Sequence, residues 1–268
     1  MKKLMFVAAI AAMAGSAFCI ESANTVGYTA KAVTAGKYYL IGTQFDKAGT
    51  TSAGLVTMSD LINLSETLTP GLYDDDFATA PQILVLKPSG VGYDTYYYIS
   101  DGTDDSDDEL GYDAWCDLDG YELTDSVKLA LGKGFWFYSP ATSGSITTAG
   151  QISEVASQTL TFTAGKYSIL CNPYPTDVSL SSLTTSATPG LYDDDFATAP
   201  QILVQKPSTV GYDTYYYISD GTDDSDDELG YNAWCDLDGY ELEGAQIGAG
   251  AAFWIYSSST GGSITFSL

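Results

Sequence analysis

The chain has 268 residues, of which 35 are acidic and 10 basic; its formal net charge is −25, it has no His, and every basic residue is Lys. Nucleic acid is therefore not an expected partner, because phosphate binding needs clustered positive charge. Without His or Arg the chain cannot form a Ser/His/Asp triad, a Cys/His dyad, an imidazole metal site or a bidentate guanidinium clamp.

The chain opens with Lys2 and Lys3, an apolar run from Leu4 to Ala14, and the small residues Gly15, Ser16 and Ala17. This is the layout of a secretory signal peptide, and the apolar run is too short to span a bilayer. Cleavage after Ala17 and cleavage after Cys19 both fit. Acylation of Cys19 fits less well, since bulky Phe18 stands where a small residue is wanted. Residues 1–19 are read as a leader, and the protein as secreted to the extracellular space or the cell surface. No later stretch is long and apolar enough for a transmembrane helix.

Beyond the leader, short runs rich in Tyr, Ile, Val, Phe and Thr are bounded by Gly, Pro, Ser and Asp, which predicts strands. The first covers 37–45. Residues 57–64, with Ser59 placed as an N-cap, come nearest to a helix, and a shorter counterpart surrounds Leu180. Strands follow at 82–87 and 95–100. A hairpin is then predicted, its arms 114–118 and 121–124 flanking Asp119 and Gly120, a dipeptide suited to a two-residue turn. Strands at 134–139 and 145–148 complete the set. At 82–87, alternation sends Ile83 and Val85 to the core and 84 and 86 to the more exposed face.

The same set recurs. Residues 69–123 and 188–242 match at an offset of 119, and of these 55 positions only Leu86/Gln205, Gly90/Thr209 and Asp113/Asn232 differ. The flanks match more loosely, TAGKYYLIG at 34–42 with TAGKYSILC at 163–171, and FWFYS at 135–139 with FWIYS at 253–257. The expected fold class is all-β, with two tandem domains of β-sandwich or small-barrel type, residues 20–150 and 151–268, joined through 148–158.

The second copy carries Gly165, Tyr167, Ile169, Leu170, Asn172, Pro173, Tyr174 and Pro175, followed later by a GAAFWIYSS strand. This resembles a repeat of secreted and surface proteins of bacteria, in which a glycine, an aromatic, an aliphatic pair and NPYP precede a G-x-G-F-[FW] strand. The first copy reads GTQFD where NPYPT stands, although Gly132, Gly134, Phe135 and Trp136 fit the late strand well. The resemblance implies an exported β-rich surface or matrix protein and carries over no catalytic residue.

Twenty-seven of the 35 carboxylates fall inside the duplicated segments. Oxygen-rich loops punctuated by glycine suit calcium, which takes six to eight hard ligands. The candidate ligands are Asp101, Asp104, Asp105, Asp107, Asp108, Glu109, Asp117, Asp119 and Glu122. Their twins are Asp220, Asp223, Asp224, Asp226, Asp227, Glu228, Asp236, Asp238 and Glu241. A two-residue turn would set Asp117 opposite Glu122, and Asp236 opposite Glu241, like charges that a cation would reconcile. The spacing is not that of an EF-hand, and a solvated acidic loop has the same composition.

Cys116, Cys171 and Cys235 remain after the leader, and any pairing among them stays open. Tyr96, Tyr97, Tyr98, Trp115 and Trp136 are expected to pack structurally. No pair of carboxylates is singled out for hydrolysis, so no enzymatic role is expected. The reading is a noncatalytic surface or matrix protein whose acidic loops bind calcium and serve contacts with other surface proteins, with itself or with glycans. A tandem carbohydrate-binding module is the alternative, and an outer-membrane β-barrel, suggested by the alternating SITFSL at the end, a further one.

Overall fold

The computed structural model describes residues 26–46, 55–57, 62–72, 77–100, 112–123, 127–191, 196–208, 210–219, 231–242 and 244–268. Among these, all regular structure is β except one 3-10 turn, Leu180–Ser182. The first half contains β1 (Val26–Val33), β2 (Lys37–Gly42), β3 (Phe45–Asp46), β4 (Leu55–Thr57), β5 (Ile62–Leu64) and β6 (Gly71–Leu72). It continues with β7 (Gln82–Leu86), β8 (Tyr93–Ser100), β9 (Ala114–Cys116), β10 (Lys128–Ala130), β11 (Gly134–Ser139) and β12 (Gly144–Ile152). The second half contains β13 (Ser157–Phe162), β14 (Ser168–Cys171), β15 (Val178–Ser179), β16 (Thr184–Thr185), β17 (Gly190–Leu191) and β18 (Gln201–Gln205). The chain closes with β19 (Tyr212–Ser219), β20 (Ala233–Cys235), β21 (Gln246–Ile247), β22 (Ala252–Tyr256) and β23 (Gly262–Ser267). Apart from β3, each strand of the first half has a counterpart in the second, in the same order.

The helix expected at 57–64 is not formed where the chain is described. Ile62–Leu64 is a strand on β12, with Ile62 buried, Asn63 exposed and Leu64 packed on the core. That is period two, and pairing with β12 decides it.

Each half builds a six-stranded sheet. The orders are β2-β11-β7-β8-β6 with β9 also on β8, and β14-β22-β18-β19-β17 with β20 on β19. The remaining strands form a four-stranded sheet (β1, β12, β3, β5), a three-stranded one (β13, β23, β16) and the ribbons β10-β4 and β15-β21. The all-β expectation holds, whereas the simple sandwich does not: the strands divide among six sheets, and every ladder joins strands of one half.

Register assigns the faces. Trp136 stands opposite Leu40 and Leu84, and Tyr138 opposite Tyr38 and Gln82, so these side chains share the outer face of the first large sheet. Tyr39, Ile41, Ile83, Phe135 and Phe137 point inward, where they meet Val33, Phe45, Ile62, Leu129 and Ile146 of the smaller sheets. As expected, Ile83 is fully buried and Val85 packs on this core.

The outer faces of the two large sheets meet. Leu40, Ile169, Cys171 and Ala252 form a buried cluster, with Leu86, Tyr93, Trp136 and Trp254 packed around it. Glycine permits the approach: a Cβ on Gly42 would stand 2.5 Å from the Cys171 Cβ, and one on Gly134 the same distance from Ile169 Cγ2. The Cys171 N–H donates to the Gly132 carbonyl at 2.8 Å, and Lys133 bridges Leu170. Gln205 completes the seam. Its carboxamide accepts the Leu40 N–H at 3.0 Å and donates to the Tyr38 carbonyl at 3.1 Å, capping the open edge of β2.

The NPYP turn ties the connection to the second half. Asn172 is fully buried, its Nδ2 donating to the carbonyls of Thr176, Ile247 and Gly248 while its Oδ1 accepts the Tyr174 N–H. The Tyr174 hydroxyl then reaches the Val155 carbonyl in the connection, at 2.8 Å.

Candidate functional site

The acidic hairpin takes a different register from the one predicted. Cys116, and not Asp117, bridges Glu122, and the Asp117 N–H donates to the Tyr121 carbonyl. The turn therefore holds three residues, Leu118, Asp119 and Gly120, with Gly120 at φ 83°, the left-handed residue that such loops place last. The Asp117 carboxylate selects this form, since its Oδ1 accepts the N–H of Asp119 at 2.9 Å and of Tyr121 at 3.1 Å. Asp236 does the same for Asp238 and Tyr240, and Glu241 bridges Cys235.

The expected facing pairs Asp117/Glu122 and Asp236/Glu241 thus do not form. The Tyr112 hydroxyl donates to Glu122 at 3.4 Å, and Tyr231 to Glu241 at 3.0 Å. Among the described residues no group of three or more acidic or cysteine side chains converges as for a metal. The other candidates, Asp101, Asp104, Asp105, Asp107, Asp108 and Glu109 with Asp220, Asp223, Asp224, Asp226, Asp227 and Glu228, lie outside the described residues.

Cys116, Cys171 and Cys235 are free thiols, each buried. Trp115 is 4 % exposed on the inner face against Tyr98, and Tyr97 packs edge-on against Phe77, as structural roles require. Trp136 belongs elsewhere.

On the outer faces six aromatic rings form a row across the seam. Tyr138 stacks on Tyr38 with centroids 4.3 Å apart, and Tyr38 meets Trp136 edge-on at 6.2 Å. Trp136 faces Trp254 at 6.3 Å, Trp254 meets Tyr167 edge-on at 5.7 Å, and Tyr167 stacks on Tyr256 at 4.6 Å. The order reads the same from either end, because each half contributes Tyr, Tyr, Trp from equivalent positions. Two adjoining hollows follow the row. One of about 400 Å³ is bounded by Leu86, Tyr93, Trp136, Tyr167, Tyr212 and Trp254, and one of about 420 Å³ by Tyr38, Leu84, Tyr93, Trp136, Gln205 and Tyr212. Tyr38 and Tyr167 are nearly half exposed, which is costly for large apolar surface on an isolated sheet face.

From this row, sequence reasoning named Trp136 and, as a motif residue only, Tyr167. The available signal was the absence of a polar face: FWFYS and FWIYS are apolar or aromatic at inward and outward positions alike, the mark of a strand covered on both sides.

Among the described residues no helix is long and apolar enough to cross a membrane. Comparisons with protein-family models, with curated proteins and with solved structures find no match to this chain.

Proposed function

We propose that this is an exported, noncatalytic binding protein whose two halves together present a glycan-binding groove at the cell surface. The observation that carries the reading is the row of six aromatic rings across the seam. A sugar ring offers an apolar C–H face and a polar rim; aromatic rings bind the first by dispersion while hydroxyl and carboxamide groups bind the second. Tyr hydroxyls and the Gln205 carboxamide supply such polar groups here. The duplication gives the row its length, since neither half alone has more than three of the six rings. Export rests on the leader at residues 1–19, and a noncatalytic role on the lack of His and Arg and of any singled-out acid pair.

The test is binding of the mature protein to a glycan panel, followed by titration with the best ligand. Trp136→Ala and Trp254→Ala should each weaken binding by about tenfold or more, the scale of a lost aromatic anchor. Trp115→Ala should act through stability instead. A panel on which no glycan binds would remove the reading.

A further inference from the structure

The twofold relation between the halves breaks at the open edges of β2 and β14. Beside β2 the open strand edge is covered by Gln205, whose side chain takes up the Leu40 N–H and the Tyr38 carbonyl. The matching position beside β14 holds Leu86, which can make neither bond, and there the chain leaves a cleft of about 360 Å³. The Cys171 N–H points away from β22 toward Gly132, so strand alternation turns the Ile169 N–H and the Tyr167 carbonyl to that same side. These are the counterparts of the two groups that Gln205 caps.

The cleft has an apolar floor that includes Val85, Leu86, Phe162 and Ile169. Its cations are Lys87, Lys133 and Lys166, three of only ten lysines in a chain of net charge −25. Lys87 is paired with Asp94 at 3.5 Å, whereas Lys133 and Lys166 have no ion-pair partner among the described residues. Burial also lowers the pKa of Lys133 from its ordinary value, the sign of an ammonium stripped of water without a carboxylate in exchange.

Three sequence differences between the halves fall here. Ala251 occupies the position equivalent to Lys133. Gly90, at φ 76°, lies against the stem of Lys166, where an added Cβ would stand 2.9 Å from the Lys166 Cβ; its counterpart is Thr209. Two of the three differences within the duplicated segment, Leu86 and Gly90, thus line one cleft.

We propose that this cleft holds the anionic group of an acidic sugar residue, a carboxylate or sulfate taken by Lys133 and Lys166, with neighbouring sugars lying along the aromatic row. Leu86, Gly90 and Tyr167 border both the cleft and the adjoining aromatic hollow, so one oligosaccharide reaches both. A sugar hydroxyl both donates and accepts, which matches the paired Ile169 N–H and Tyr167 carbonyl. The proposal rests on the glycan reading above and names its ligand class.

Calorimetric titration of the mature chain would compare an oligouronide, a sulfated oligosaccharide and a neutral oligosaccharide of equal length. At low salt at least one anionic oligomer should bind about tenfold tighter than the neutral one, as a charge-assisted contact requires, with the gap closing as salt rises. Lys133→Met and Lys166→Met should remove the gap. Leu86→Gln, which supplies the missing cap, should also remove it while leaving melting in place. Equal binding of all three oligomers, or a preference untouched by these variants, overturns the cleft and leaves the aromatic groove standing. Anionic binding that persists after Trp136→Ala and Trp254→Ala supports the cleft and overturns the groove; no binding by any oligomer overturns both.

Discussion

Burial pushes the Cys116 thiol up to about 12, with the Glu122 and Asp117 charges adding to the effect, and Cys235 behaves alike beside Glu241 and Asp236. Cys171 is also raised to about 12 by burial, which hydrogen bonds from Thr43 and Gly132 and the Lys133 charge offset only in part. A thiol with a raised folded pKa contributes stability that is full below its unfolded value near 9 and drains away as pH climbs toward 12. Thiol reagents at pH 8 should therefore label none of the three until denaturant is added, and the melting temperature should fall progressively above pH 9. The hairpin offers a second prediction at this scale. Asp117→Ala should cost about 1–2 kcal/mol by leaving two turn N–H groups without their acceptor, while Asp117→Asn, which keeps an oxygen there, should cost little; chemical denaturation reads both. Asp119 and Gly120 announce the turn in the sequence. Its register is not legible there, because the reach of one carboxylate to the N–H groups of Asp119 and Tyr121 decides between a two-residue and a three-residue loop.

The strands around Tyr96 and Phe135 are readable from β-branched and aromatic runs, and period two correctly places Ile83 in the core. The outer face of β11 is not readable in that way, since a strand apolar at every position does not say what covers its second side. The answer is the other half, and Gln205 shows how closely the two are fitted. Gln205→Leu would strip the Leu40 N–H and the Tyr38 carbonyl of their partner and should lower stability by about 1–2 kcal/mol. The reverse exchange, Leu86→Gln, adds a cap and should be neutral in the same measurement. Trp115 and Trp136 should separate cleanly: Trp115→Ala empties a core site and should cost about 3–5 kcal/mol, whereas Trp136→Ala should affect binding more than melting.

For the whole molecule, the shared cluster of Leu40, Ile169, Cys171 and Ala252 should make the two halves melt in one transition by calorimetry. Calcium binding by the runs 101–109 and 220–228 is a separate proposal. It predicts a melting temperature that rises with calcium and falls with chelator, from a stabilisation of about 2.7 kcal/mol per site at a hundredfold excess over Kd. A rise with any salt alike would show instead that screening of the acidic surface is the whole effect. The near-identity of the central segments has another outcome, one that bears on how the chain reaches its native state. The strands β6 to β9 and β17 to β20 are cut from almost the same 55 residues, so a folding chain cannot tell them apart by propensity, alternation or core volume. Either segment is therefore expected to complete the frame of either half, within one chain or between two. Connectivity, one carboxamide at Gln205 and the bare backbone of Gly90 are what arbitrate, which leaves refolding at high concentration open to entangled, segment-exchanged dimers that carry native cores in the wrong pairing.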